Sequence, residues 1–251
     1  MNSADLLSFF DDRFAEIEDY VSFLEDVEKA AQLGAPKIGS FAARISPAQQ
    51  KILYSSLYLQ LYNLVEAAVS LCVDSVVESA VRDGRWRVDD LNESMRREWV
   101  RSMARTHQSD MAPDNRLNSA LKMCEHLINQ LPVASFQVER GGGGNWDDES
   151  IYEITKRLGC KLSISPATNA LAKRSIRDNL GPLKLVKDRR NGLAHGSVSF
   201  ADCADGVTVS ELKMVAEAVG KYLREVITCI GTYVDLKEFL NPAGMPASVN
   251  Q

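Results

Sequence analysis

Three histidines occur in the 251 residues, at positions 107, 126 and 195. Side chains able to exchange a proton near neutral pH are therefore few. One of them closes the segment Asp188-Arg189-Arg190-Asn191-Gly192-Leu193-Ala194-His195-Gly196. An arginine offers a planar fork of donors suited to a phosphate, and an imidazole can take up or release a proton. Asn191, beside the arginine, can orient either. Arg190 and His195 are five positions apart, which on a helix is about 500° of rotation, or roughly 140° around the axis. The two side chains then flank one edge rather than stack, and a helix end at this point brings them nearer. Gly196 suits the left-handed residue that ends many helices. The residue types point to phosphate chemistry assisted by proton transfer. The bland alternative is a histidine stabilised by the helix dipole, with Arg190 in an ion pair with Asp188 or another acid.

The other histidines carry less. Arg101 to His107 has a similar spacing but lacks the following asparagine and the Ala-His-Gly ending. His126 and Cys124 read as packing residues. No phosphate loop of Walker type, GxGxxG, GxSxG or HExxH occurs, and Gly141 to Gly144 has no Lys-Ser/Thr after it. Cys72, Cys124, Cys160, Cys203 and Cys229 are widely spaced without a CxxC pair. That argues against a zinc site or a disulfide framework and for a reducing cytoplasm. No metal or cofactor is expected.

The charge is unevenly spread. The chain has 29 basic and 34 acidic residues, a net of −5, which disfavours indiscriminate polyanion binding. Met1 to Leu33 carries a net of −7, whereas Lys156 to Arg190 carries ten bases against two acids. A surplus of that size can hold phosphates on an acidic protein, although charge runs are more often solvated helix faces. With 45% apolar residues the chain suits a globular core. No apolar run is long enough to span a membrane, and the N-terminus lacks the positive start of a secretory signal.

The elements that must position these residues are mostly helical. Leu6 to Leu33 repeats apolar residues at steps of three and four. Ser46-Pro47-Ala48-Gln49 predicts a capped start for a central helix reaching about Val81. Val81 to Arg105 mixes seven arginines with Trp86 and Trp99 and is nearly neutralised by acids. It reads as a solvated helix pinned by aromatics rather than a base-stacking surface. Further helices are predicted at Arg116 to Leu131, Asp147 to Leu158, Ser165 to about Asn179, Gly181 to Leu193 and Thr208 to about Leu240, the last opened by a Thr208/Glu211 capping box. Val133 to Val138 and Cys160 to Ser165 read as short strands. The expectation is one all-α domain over 1–240, with a small mixed insertion at 132–165 holding a mobile glycine loop, and a frayed tail at 241–251.

Arg190-Asn191-Gly192-Leu193-Ala194-His195-Gly196 resembles the Arg-x(4–6)-His signature of the HEPN superfamily. These are small α-helical domains, many of them metal-independent endoribonucleases of toxin, antiphage and RNA-processing systems. Tyr54 to Ala68 (YSSLYLQLYNLVEAA) and Leu183 to Phe200 (LKLVKDRRNGLAHGSVSF) are similar to the two best-marked helices of its MAE-type branch, found near restriction and defence genes. Residues 80–165 lie outside these matching stretches. The resemblance implies a HEPN-like helical bundle that cuts RNA through 2′-OH attack, leaving 2′,3′-cyclic phosphate and 5′-OH ends. His195 would act as general base or acid, Arg190 would stabilise phosphoryl charge, and Asn191 would position the phosphate or the ring. Glu66 would hold Arg190. Two protomers would face each other through the motif helix. Lys173, Arg174, Arg177, Lys184, Lys187 and Arg189 would line the approach of the RNA. Some HEPN domains are instead non-catalytic scaffolds, RNA-binding partners or silenced toxins, so a cognate antitoxin or defence-system partner stays open.

Overall fold

The computed structural model describes residues 1–37, 44–106, 108, 110–140 and 145–242. Among them lie nine α-helices: α1 (Ser3–Gln32), α2 (Pro47–Val81), α3 (Glu93–Ala104), α4 (Pro113–Ile128), α5 (Asp148–Leu158), α6 (Pro166–Lys173), α7 (Pro182–Ala194), α8 (Phe200–Cys203) and α9 (Val209–Asp235). The glycine run at 141–144, His107 and residues 243–251 fall outside the described residues, and with them the expected glycine loop and most of the expected tail. No helix of the described residues is long and apolar enough to cross a membrane.

α2 is the central post, with α1, α7, α8 and α9 packed around it. Its start follows from local chemistry: Ser46 accepts the Gln49 N–H, Gln49 returns a bond to the Ser46 N–H, and Pro47 opens the helix. Leu57, Tyr58, Leu61, Tyr62 and Val76 are wholly buried, as expected of a helix surrounded on most sides. α1 and α9 close one flank. Gly220 of α9 permits their approach, because a Cβ there would overlap the Phe14 ring.

Three expectations change. α6 ends at Lys173, short of Asn179: Arg174 turns extended (ψ 123°), and Asp178 and Asn179 then take left-handed backbone angles (φ 53° and 58°) in a tight turn closed by Leu180 N–H to Arg177 O. Thr208 caps α9 through the Glu211 N–H, but the Glu211 carboxylate turns to Arg177 instead of completing a box. No strand forms at 133–138 or 160–165. Beside the first segment the described residues form only an isolated bridge between Arg87 and Pro132, and no ladder follows from it. Val133 donates to the Trp86 carbonyl and Gln137 to the Ser102 hydroxyl, while Ser165 donates to Glu225 of α9. Among the described residues the insertion holds one helix, α5, with flanking segments tied to the Trp86 carbonyl and to side chains of α3 and α9.

The arginine-rich stretch is pinned by its tryptophans as expected, but it is an α-helix only over Glu93–Ala104, with short 3₁₀ turns at Arg82–Gly84 and Val88–Asp90 before it. Trp99 is fully buried and Trp86 nearly so. Glu98, 1% exposed, sits between Arg101 and Arg157. α4 leans chiefly on α3. His126 is buried there as expected, its ring 5.1 Å from that of Trp99, whereas Cys124, expected to pack, is exposed.

Candidate functional site

Gly181 and Pro182 open α7, and Leu183, Leu185, Val186 and Leu193 turn its apolar side onto the bundle. That rotation leaves Arg190 and Asn191 half-buried at one edge and His195 exposed at the end. His195 is the last residue in helical conformation, and Gly196 follows at φ 68°. Gly196 N–H reaches Leu193 O (3.2 Å) and Ser197 N–H reaches Gly192 O (3.0 Å), the paired bonds of a Schellman ending. The chain then folds back over Gly192, where a Cβ would lie 2.9 Å from Val198 Cγ1. Both glycines of the motif thus shape the turn that presents His195.

Arg190 is held on three sides. Its guanidinium carbon lies 4.4 Å from the centroid of the Tyr62 ring, a cation–π seat inside the bundle. Nη1 donates to Asn191 Oδ1 at 2.9 Å. Nη2 is 3.9 Å from Glu66 Oε2, a charge contact too long for a hydrogen bond. Glu66 was the expected support; Tyr62, one turn earlier on α2, does more of the holding. Asn191 Nδ2 in turn donates to Asn145 Oδ1 at 2.9 Å. The amide of Asn191 is engaged at both ends and orients Arg190. The His195 ring makes no hydrogen bond or ion pair with a described residue, Arg190 included.

Residues 145–147 are a part of the site that the sequence did not reveal. Trp146 N–H donates to the Tyr62 hydroxyl (3.3 Å), Asn145 takes Asn191, and Asp147 takes the Lys187 ammonium. Asp147 also caps α5 by accepting the Ser150 N–H (2.9 Å). Burial pulls the Asp147 carboxyl upward, but the Lys187 and Ser150 hydrogen bonds outweigh it and hold it below its ordinary value. Burial pushes the Tyr62 phenol up, and the Trp146 N–H and the Arg190 charge offset this only in part. Tyr62 is therefore a neutral platform. A signal for it was present: it lies four residues before Glu66, on the same face of α2.

The six basic residues expected along the approach divide into two groups. Lys173 pairs with Asp148, Arg177 with Glu211, Lys187 with Asp147 and Arg189 with Asp178. Arg177 is the most firmly held, with two bonds of 2.8 and 2.9 Å to Glu211 and a third to the Gly206 carbonyl. Lys184 and Arg174 are exposed and have no ion-pair partner among the described residues. Part of the surplus seen along 156–190 is met by acids from outside it: Asp147, Asp148 and Glu211, with Glu98 of α3 on Arg157.

Comparison with known proteins adds one finding. No curated protein and no solved structure matches the chain. The family model described as MAE_28990-like HEPN matches residues 3–239, including the 80–165 stretch that the two recognisable helices leave out. A match over that much of the sequence makes the chain a member of this HEPN family.

Proposed function

We propose that the chain is a metal-independent endoribonuclease of toxin or antiphage-defence type, with Arg190 and His195 as its reacting pair. The observation that carries this reading is the contrast between them: Arg190 is fixed on Tyr62 by Asn191, while His195 stands at a shaped helix end with its ring unengaged. A guanidinium held in place can stabilise charge developing on a phosphoryl group without reorganising. An imidazole in solvent is open to a substrate hydroxyl. HEPN membership supports an activity on RNA or nucleotides.

In this reaction His195 removes the proton from the ribose 2′-OH as that oxygen attacks the adjacent phosphorus. Arg190 meets the charge on the non-bridging oxygens. The bond to the 5′-oxygen breaks, that oxygen takes up a proton, and a 2′,3′-cyclic phosphate and a 5′-OH remain. A second proton-transfer group is needed, and a two-fold pairing of motif helices supplies a second His195. Lys184 and Arg174 offer the first phosphate contacts on approach, and Lys173 and Lys187 can exchange a carboxylate for a phosphate.

His195→Ala is expected to lower RNA cleavage in EDTA by at least about 100-fold with helical content and assembly unchanged. Undiminished cleavage by that variant overturns the assignment of His195. Tight RNA binding by the wild type without turnover points instead to a non-catalytic RNA-binding module, and loss of wild-type activity in EDTA points to a metal.

A further inference from the structure

α4 is turned the wrong way round for a helix of a self-contained domain. The side it shows to the rest of the chain carries Ser119 and His126, with Met123 partly covered between them. The opposite side carries Leu117, Leu121, Cys124 and Ile128, all exposed. Steps of four, three and four residues place these four within about 60° of one another on the helix. Leu117 is 58%, Leu121 56% and Ile128 79% exposed, and Leu127 and Leu131 extend the patch. Single exposed leucines are ordinary on a protein surface, but a continuous apolar stripe along a helix is not.

We propose that a second copy of this chain covers α4, packed antiparallel about a two-fold axis that passes between Leu121 and Cys124. The spacing four–three–four reads the same from either end. A two-fold at its midpoint therefore sets Leu117 against Ile128 of the other copy and Leu121 against Cys124, so one patch completes itself. The flanks agree: the axis brings Glu125 beside Asn118 and Arg116 beside Leu127, and no like charges meet. α4 has 16 residues, about 24 Å of helix. A stripe of that length covers a few hundred Å² per copy, less than the ~800 Å² per partner of a standard stable interface. Association is therefore concentration-dependent. This contact is separate from the α7 pairing proposed above and does not depend on it; where both form, the assembly is a tetramer.

The test is the mass of the full chain by sedimentation equilibrium over a range of concentrations, for the wild type and Leu121→Glu. The exposed position leaves the fold intact, checked by circular dichroism, with Leu117→Lys as a second variant. At a concentration where the wild type is assembled, Leu121→Glu is expected to halve the mass and to weaken association at least tenfold. A short bis-maleimide is expected to join wild-type copies through Cys124, with Cys124→Ser abolishing the cross-linked band. A mass unaffected by both α4 variants overturns the proposal, as does a wild type that stays monomeric at the highest concentration reached. In the latter case the stripe belongs to a different protein.

Discussion

The bundle of α1, α2, α7 and α9 and the excursion from residue 82 to 165 solve the same problem in opposite ways. In the bundle, apolar residues face inward at nearly every contact, from Leu6 and Phe10 of α1 to Val226 and Ile230 of α9. In the excursion, α3 buries Glu98 between two guanidinium groups, and α4 buries a serine and a histidine while its leucines face out. The bundle is held by area removed from water, which is insensitive to detail and sums over many residues. The excursion buries apolar residues too, Met95, Trp99, Ile151 and Leu158 among them, but its α3–α4 layer adds polar anchors that are costly to lose if a partner is left unpaired. It follows that the bundle and the buried side of the excursion share one core, and that the outward face of α4 adds surface rather than stability.

The widest separation between the two is expected for leucines. Leu61→Ala, at a fully buried position of α2, is expected to cost about 2–5 kcal/mol. Leu121→Ala, on the open face of α4, is expected to change monomer stability by no more than about 0.5 kcal/mol. Urea unfolding of both variants, at a concentration too low for association, measures the gap. Similar losses for the two would show that α4 is covered within the chain, and the comparison would fail.

Asp147 is where the regions meet, since it caps α5 and pairs with Lys187 of α7. Asp147→Ala is expected to destabilise by about 1–3 kcal/mol, through loss of the cap and an unpaired ammonium. The effect has a pH signature. The folded-state carboxyl is held below its ordinary value, so its contribution is fully present above the unfolded value of about 3.9. It is lost as the pH falls through the lower folded value. Unfolding curves of wild type and variant are therefore expected to converge on acidification below about pH 4. A gap that persists at low pH would assign the loss to the cap geometry alone.

The same division governs how much could be read from the residues. Helix starts were legible because they are local: Ser46-Pro47 and Ser165-Pro166 each state a cap and a first turn within a few positions, and Gly181-Pro182 states a first turn. The Arg190–His195 motif was legible for the same reason. Its seat was legible only in part: Tyr62 shares the Glu66 face of α2, but Asn145 comes from a distant segment, and an amide relay has no periodicity to reveal it. Nor could a net charge counted along 156–190 show that Asp147, Asp148 and Glu211 offset part of it from outside the segment. α4 was legible as a helix but not in its facing. Periodicity marks an apolar side, and the usual inference that this side points inward placed Cys124 in the interior, where it is not.

The finest contrast is within the motif itself, at its two glycines. Gly192 is small because Val198 lies against it, whereas nothing lies within 4 Å of a Cβ built on Gly196. Gly196 is glycine for its left-handed backbone, φ 68°. Gly196→Ala is therefore expected to cost only about 1 kcal/mol, a melting shift of about 2–4 °C in a chain of this size. Gly196→Asn, which tolerates the same conformation, is expected to cost less. If His195 does the proton transfer proposed for it, cleavage falls further in Gly196→Ala than stability does, because relaxing the Schellman bonds moves the ring out of register with Arg190. Activity that merely follows the folded fraction would mean that the helix end supports the fold without aiming the histidine.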